Sequence, residues 1–392
     1  MRNKIAVIGA GAAGCCFACF SKHPVTLFEK KEPLKTLLAT GGGRCNLAHA
    51  IYDFKTLAKN YPRGEKFLYS IFSRFSTQET LDFFKSIGVE TYIQDDGRIF
   101  PVSNCSKAVR DAVLNNLKET RIIQEDVRSI KKISENIFLI NKKYEFENVI
   151  ISIGGHSNYD IIKQLGHNII EPKPSLVGLI CQEKFQLEGI SLRNVKLKIK
   201  GKKEALRGDL IFTKNGISGP LAYIVSSLYA RENYNIKNPI KLYIDFEIEN
   251  LLINLDKNTK KTVNNFLSQY IPKRLSMYIC KDLNIINKRC CELKKDERLK
   301  LIKNMSEFKI TIISHEKTGE VVTSGGVDLD EINAKNMESK IVKGLYFCGE
   351  VIDVDGFCGG FNLQNAWSTS YIAAEDINKK YEKKMTGELN NA

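Results

Sequence analysis

At 392 residues, with 43% hydrophobic and 27% charged positions, the chain holds enough apolar material for two or three folded domains. Its eleven cysteines, an odd number scattered along the sequence with neighbours only at Cys15-Cys16 and Cys290-Cys291, exclude the disulfide framework of a small secreted protein. A formal charge of +14 directs attention to acidic partners (nucleic acid, an anionic ligand or a membrane surface), although lysine is abundant throughout the chain.

Residues 4–30 set the organisation. Ile5 to Ile8 reads as a short buried strand. Gly9-Ala10-Gly11-Ala12-Ala13-Gly14 is a complete G-x-G-x-x-G that breaks it and opens a helix of small residues, and Val25 to Phe28 is a second apolar strand closing on Glu29. Gly9 makes the tight turn, Gly11 lets backbone approach a pyrophosphate, and Gly14 lets the helix lie against the sheet. A diphosphate then rests on N–H groups at a helix N-terminus. Glu29 can accept the hydroxyl protons of an adenosine ribose, whereas a 2′-phosphate would meet its carboxylate, so FAD or NAD is expected rather than NADP.

Arg2 and Lys4 followed by uncharged residues imitate a secretory signal, but the glycine spacing is that of a retained βαβ unit. No other run is long and apolar enough to span a bilayer, so no membrane partner and a cytoplasmic location are expected. Cys16-Phe17-Ala18-Cys19 falls inside the helix after the glycine turn, where small side chains pack on the sheet. His23, His49, His156, His167 and His315 make no metal-ligand spacing, and no metal is expected.

Next come Gly41, Gly42 and Gly43, three glycines in a row that bring backbone against a ligand, and Arg44, a clamp for a phosphate or an anionic substrate. Residues 51–90 carry helical periodicity with an aromatic stripe (Phe67, Phe72, Phe75, Phe83, Phe84) that reads as core, stopped at Gly88. A hairpin is predicted over Val89 to Ser103 around Asp95-Asp96-Gly97, a helix over 106–118, short strands from Ile122 to Ile140, and a buried strand from Phe146 ending at Gly154-Gly155.

Beyond that strand the character changes. Pro172-Lys173-Pro174 reads as a linker, and residues 176–248 become β-rich, with Lys196, Lys198 and Lys200 alternating onto one strand face, the mark of a solvated surface. Residues 250–305 read as a small helical segment with a dense basic run from Lys281 to Lys303, and Phe308 to Ile313 returns as a strand. Near the end, Leu345 to Cys348 is a strand that can complete the parallel sheet. Gly349-Glu350 puts a carboxylate at its C-terminal end, and a helix begins near Gly360-Phe361-Asn362, whose N–H groups can face the N1–C2=O edge of an isoalloxazine.

Together with Thr40-Gly41-Gly42-Gly43-Arg44-Cys45-Asn46, Gly97-Arg98-Ile99-Phe100-Pro101, Gly216-Ile217-Ser218-Gly219-Pro220, Thr323-x-Gly325-Gly326-Val327 and Gly349-Glu350-Val351-Ile352-Asp353-Val354-Asp355-Gly356, these motifs resemble the BaiN/RdsA-like NAD(P)/FAD-dependent oxidoreductases, some of whose members are called aminoacetone oxidases. The resemblance covers nearly the whole chain. It implies an α/β fold in which a Rossmann-like FAD-binding domain (1–173 and 319–392) is interrupted by a β-barrel-like domain (174–318) with a helical subdomain at about 250–305. The cofactor contacts expected on this basis are Gly9, Gly11, Ala12, Ala13, Gly14, Glu29, Lys30, Gly41, Gly42, Gly43, Arg44, Val127, Gly154, Gly349, Glu350, Gly360, Phe361, Asn362 and Leu363, with Arg44 and Cys45 as catalytic candidates and Cys358 as a further redox candidate.

The expected reaction is hydride exchange between flavin N5 and a small organic substrate. A second glycine module is absent, so either NAD(P)H is a transient donor or an amine reduces the flavin with oxygen as acceptor. An RNA-modifying flavoprotein, motivated by the charge, is the alternative of another class. Departures from the family pattern fall at Leu34, Thr36, His156 to Asp160 and Lys214, on the expected substrate side.

Overall fold

Ile5, Ala6, Val7 and Ile8 are all buried, as are Val149, Ile150 and Ile151, and a strand apolar on both faces belongs in the middle of a parallel sheet covered on both sides. The computed structural model, which describes residues 3–155, 158–316 and 322–386, has them there. Arg2, His156, Ser157 and Val321 lie outside the described residues. The strand Asn3–Ile8 pairs in parallel with Val25–Glu29 on one side and Tyr144–Ile151 on the other, and Thr120–Gln124 extends the sheet beyond Val25–Glu29.

The far edge of Tyr144–Ile151 is divided. Its beginning pairs antiparallel with Ile137–Ile140, and its end pairs in parallel with the late strand Leu345–Phe347, Leu345 opposite Val149. Strands from both ends of the chain therefore finish on one side of one sheet, where ligands gather in open α/β folds. Against the sheet lie the glycine helix Ala12–Phe20 and the return helix Phe361–Thr386, joined where the Ser370 hydroxyl donates to the Ala13 carbonyl at 2.8 Å.

The periodic stretch 51–90 folds as helices Phe54–Ala58, Glu65–Phe72 and Thr77–Ser86, the last opened by a Ser76/Glu79 capping box and followed by Gly88 in the left-handed region. Its aromatic stripe is core. Phe72 and Phe84 are fully buried and Phe75 stacks on Tyr371 at 4.6 Å. The predicted hairpin is present as Thr91–Ile93 and Arg98–Pro101, with Ala48–His49 added along the second strand.

By its contacts the chain divides into two units, Met1–Lys173 with Val322–Ala392, and Pro174–Val321. In the second, six antiparallel strands close a barrel in the order Leu179–Cys181, Gly216–Ser218, Ala205–Phe212, Ser191–Ile199, Ile240–Asp245 and Phe308–His315. Helices Leu251–Lys257, Val263–Leu267, Lys273–Asp282 and Lys295–Ser306 intervene between its last two strands and share its apolar core through Phe266, Leu275, Ile279 and Leu301. The architecture is the predicted one: a Rossmann-like unit interrupted by a barrel with a helical insert.

Two details are finer than the prediction. The Pro172-Lys173-Pro174 linker is part of a strand, Ile169–Ser175, in a two-stranded sheet with Val322–Val327. A strand with one partner has a free edge where prolines sacrifice no ladder bond. Lys196 and Lys198 are met by Asp245, at 3.9 and 3.2 Å, so their strand face balances its own charge.

Candidate functional site

The glycine turn is built by contact rather than by sequence convention. Gly9 N–H donates to the Phe28 carbonyl at 2.8 Å as the chain leaves the first strand. At Gly14 a Cβ would lie 1.9 Å from the Gly9 carbonyl oxygen and 2.7 Å from Ser152 Oγ, so no side chain fits between helix and sheet. Gly11 is the opposite case. Nothing lies within 4 Å of where its Cβ would be, and its backbone borders open space at the start of the helix. Ala12 is partly buried, and Ala13 is buried under Gly349, whose Cβ would stand 2.7 Å from that of Ala13.

Glu29 ends the second strand with its carboxylate folded back to the turn: one oxygen accepts from Ala10 N–H and the other from Lys31 N–H, each at 2.9 Å. Lys30 is exposed beside it. In the next strand Gln124 stands opposite Glu29, and the turn that follows carries half-buried Val127. Asn141 fixes that turn, its oxygen accepting from Arg128 N–H at 2.9 Å and its nitrogen donating to Glu125 at 2.7 Å.

Gly41, Gly42 and Gly43 all lie in the left-handed region, with φ of 57°, 67° and 83°, and no atom approaches within 4 Å of a Cβ on the last two. Arg44 lays its guanidinium over the Phe100 ring at 4.1 Å, a contact worth about 0.5–2 kcal/mol that fixes the charge in place. Cys45 is fully buried, and burial pushes its thiol up to about 12. It is therefore a protonated core side chain at neutral pH, a setting that argues against thiolate chemistry. Cys358 is exposed on the return loop.

The return segment brings Glu350 to the end of the sheet. Gly349 N–H donates to Thr369 Oγ1 at 2.9 Å, and Glu350 Oε1 accepts from Thr323 N–H at 2.8 Å. Its other oxygen would lie 3.9 Å from a Cβ on Gly154, so these two predicted positions are neighbours.

The loop beyond is held partly by two side chains the sequence did not single out, Arg63 and Tyr61. Asp355 is completely buried and doubly bonded to Arg63. Asn362 closes a pair of 2.8 Å bonds with the N–H and carbonyl of Gly356, and the Tyr61 hydroxyl donates to the Phe361 carbonyl at 2.6 Å. His49 stacks on Phe361 at 4.9 Å and donates from Nδ1 to the Gly359 carbonyl at 3.2 Å, and burial lowers its pKa, which keeps the ring neutral.

At the helix start the structure refines the expectation. With the Asn46 amide oriented so that its nitrogen donates to the Ala48 and Ile99 carbonyls, its oxygen accepts from Gly360 N–H at 3.0 Å, and a Cβ on Gly360 would meet the Ala48 carbonyl at 2.6 Å, so this N–H is committed within the protein. The first helical bond runs from Gln364 N–H to the Gly360 carbonyl at 3.0 Å. Phe361, Asn362 and Leu363 are left with N–H groups that have no acceptor inside the helix. On the same turn Gln364 Oε1 and Asn365 Oδ1 are buried and accept no hydrogen bond among the described residues. Sequence reasoning passed over this polar pair, whose readable signal was two adjacent amides in the first turns of the helix, beside the predicted contacts Asn362 and Leu363.

Residues 3–376 match the model of the HI0933-like protein Rossmann domain. The chain is 30% identical to a 3-dehydro-bile acid delta(4,6)-reductase of Clostridium scindens, covering 95% of this chain and 98% of that protein. It is 27% identical to a ribosomal RNA dihydrouridine synthase of Escherichia coli, covering 95% and 97%. Among solved structures, a flavocytochrome c3 fumarate reductase shares the fold with a TM-score of 0.51 and 13% identity over 96% of this chain and 78% of that one. The chain thus belongs to the HI0933-like family, the BaiN/RdsA-like FAD-dependent oxidoreductases.

Proposed function

We propose that the first unit binds FAD across the strand ends and that the protein is a reductase of a carbon–carbon double bond conjugated to a carbonyl. The observation that carries the cofactor half is the open backbone at Gly11, Gly42 and Gly43, together with a return helix whose first N–H groups have no acceptor inside the helix. The residues fit the group. A helix N-terminus takes the diphosphate at Gly11, Ala12 and Ala13. Glu29 uses two of a carboxylate's four lone-pair positions on Ala10 and Lys31, which leaves two for ribose hydroxyls. Gly154 and Glu350 line the middle, and the N–H groups of Phe361, Asn362 and Leu363 with the orphan amide oxygens of Gln364 and Asn365 suit a polar ring edge.

When bound, FAD supplies two-electron transfer. The chain's own residues supply orientation and charge. Reduction of a conjugated double bond adds hydride at the β-carbon and a proton at the α-carbon, and negative charge builds on the carbonyl oxygen between the two events. Arg44, held in place on Phe100, is the cation assigned to that oxygen. The substrate class draws support from the two relatives, whose names describe reactions at the Δ4,6 bonds of a 3-dehydro bile acid and at uridine in ribosomal RNA.

A small enone and a uridine in RNA are both carriers of such a bond, and the concentration of positive charge in the helical insert favours the second. NADH or NADPH serves as the transient hydride source. Anaerobic addition of each to the FAD-loaded protein should bleach the flavin band, and an unsaturated ketone or a uridine-containing RNA should restore it. Bleaching by aminoacetone alone, with reoxidation only by oxygen, would replace the reductase with an amine oxidase.

A further inference from the structure

Residues 251 to 306 hold thirteen Lys or Arg against five Asp or Glu, so one seventh of the chain carries a net +8 of its +14. Four of those five carboxylates are engaged. Asp256 pairs with Arg298 at 2.7 Å, Glu292 accepts from Arg289 N–H at 2.8 Å, Asp296 lies 3.9 Å from Lys300, and Glu297 accepts from Lys288 Nζ at 2.6 Å and Lys294 N–H at 3.0 Å. The side chains of Lys257, Lys260, Lys261, Arg289, Lys294 and Lys295 are exposed and make no salt bridge among the described residues.

These six cations are gathered around one turn. Val263 N–H donates to the Lys288 carbonyl and Cys290 N–H to the Lys261 carbonyl, both at 2.9 Å, so residues 261–263 run antiparallel beside 288–290. The helix Leu251–Lys257 packs on the turn Cys290–Glu292, and Lys294 and Lys295 follow that turn directly at the head of Lys295–Ser306. Three separate segments thus bring cations around one turn, whose own Glu292 is bonded to Arg289 N–H. Such a surface suits a ligand with charges repeated along a backbone, which releases a counterion for every phosphate neutralised. The exposed apolar side chains Leu252, Ile253 and Leu299 are divided between two helices and do not make the single amphipathic stripe of a helix lying on a bilayer.

We propose that the surface around Cys290–Glu292 binds the phosphate backbone of RNA through Lys257, Lys260, Lys261, Arg289, Lys294 and Lys295, an inference that rests on the nucleic-acid reading of the substrate. The test uses the FAD-loaded full chain, a fluorescein-labelled RNA hairpin with a uridine-rich loop, and anisotropy from about 50 to 200 mM salt. A triple variant Lys260→Glu, Lys261→Glu, Arg289→Glu is set against a control triple Lys59→Glu, Lys131→Glu, Lys163→Glu of the same charge change, with flavin absorbance and melting temperature confirming that both are folded.

The native protein should show a log–log salt slope of about −4 for six single-strand phosphate contacts, and the patch triple should bind at least tenfold more weakly with a slope shallower by about 0.7 per cation removed. The control should bind within twofold of native, and vesicles of phosphatidylserine and phosphatidylcholine should not bind. Equal weakening by both triples, or patch-dependent binding of vesicles without RNA, would overturn the proposal. Native-like RNA binding by the patch triple would remove this surface and leave the nucleic-acid reading standing, whereas no RNA binding by native protein would remove both.

Discussion

The glycine turn at residues 9–14 and the return loop at residues 348–362 border the same sheet end but are held in different ways. The turn takes its course from six consecutive residues, with Glu29, Ser152 and Ser370 bonded to its backbone at Ala10, Gly9 and Ala13, and at Gly11 it borders open space that no bond crosses. The loop is tied to distant parts of the chain, by Arg63 to Asp355, Tyr61 to Phe361, Asn46 to Gly360 and His49 to Gly359. A region tied by long-range bonds cannot lose one of them without losing its fold, whereas the turn can be blocked while the fold stands. Cofactor affinity and stability should therefore separate at the turn and fall together in the loop.

The largest effect should come from Asp355→Ala, which removes a completely buried carboxylate from its pair with Arg63; breaking such a pair costs about 3–5 kcal/mol. A fall in denaturant midpoint accompanied by loss of FAD is expected, and native-like stability would break the comparison on the loop side. Asn362→Ala removes both bonds to Gly356 and should cost about 1–3 kcal/mol, again with weaker FAD retention, read from the same melts and from flavin released on dilution.

Gly11→Val sharpens the other side. The residue sits at the helix N-cap with φ −76° and ψ −168°, backbone that valine adopts, so the apoprotein should lose no more than about 1 kcal/mol. The new side chain enters the space assigned to the diphosphate, so the stabilisation of native protein by FAD, about 2.7 kcal/mol at a hundredfold excess over Kd, should vanish.

The smallest effect is one of pH. Burial lowers the pKa of His49 and of His167, so the unfolded chain takes up protons near pH 6.5 that the folded chain declines. Stability should thus fall as pH drops below about 6.5, by at most about 1.4 kcal/mol per pH unit for each ring. Melting temperatures between pH 7.5 and 5.5 should show it, with His167→Phe flattening the slope.

This contrast also explains what could be read in advance. The βαβ opening, the glycine triplet, the helical aromatics, the β-rich middle and the late strand were legible because each is announced within a few residues by spacing or alternation, whereas the closure of that middle into a barrel was implied only by the family resemblance. Gly14 declares its own necessity in sequence. Asp355, by contrast, looks like any loop acid until Arg63 arrives from 292 positions away. Gly360 looked like a free donor until Asn46 was found on it, and Cys45 looked reactive until its burial was known. Prolines at 172 and 174 suggested a linker because a strand with a free edge has no local signature.

The most direct measurement is FAD binding to native protein and to Gly11→Val, by flavin fluorescence and by the thermal shift on the same preparations. The account predicts a yellow native protein with one FAD per chain and a clear upward shift in melting temperature, and a colourless, folded variant whose melting does not respond to FAD. Equal FAD binding by the two proteins, or no binding by the native one, would contradict it.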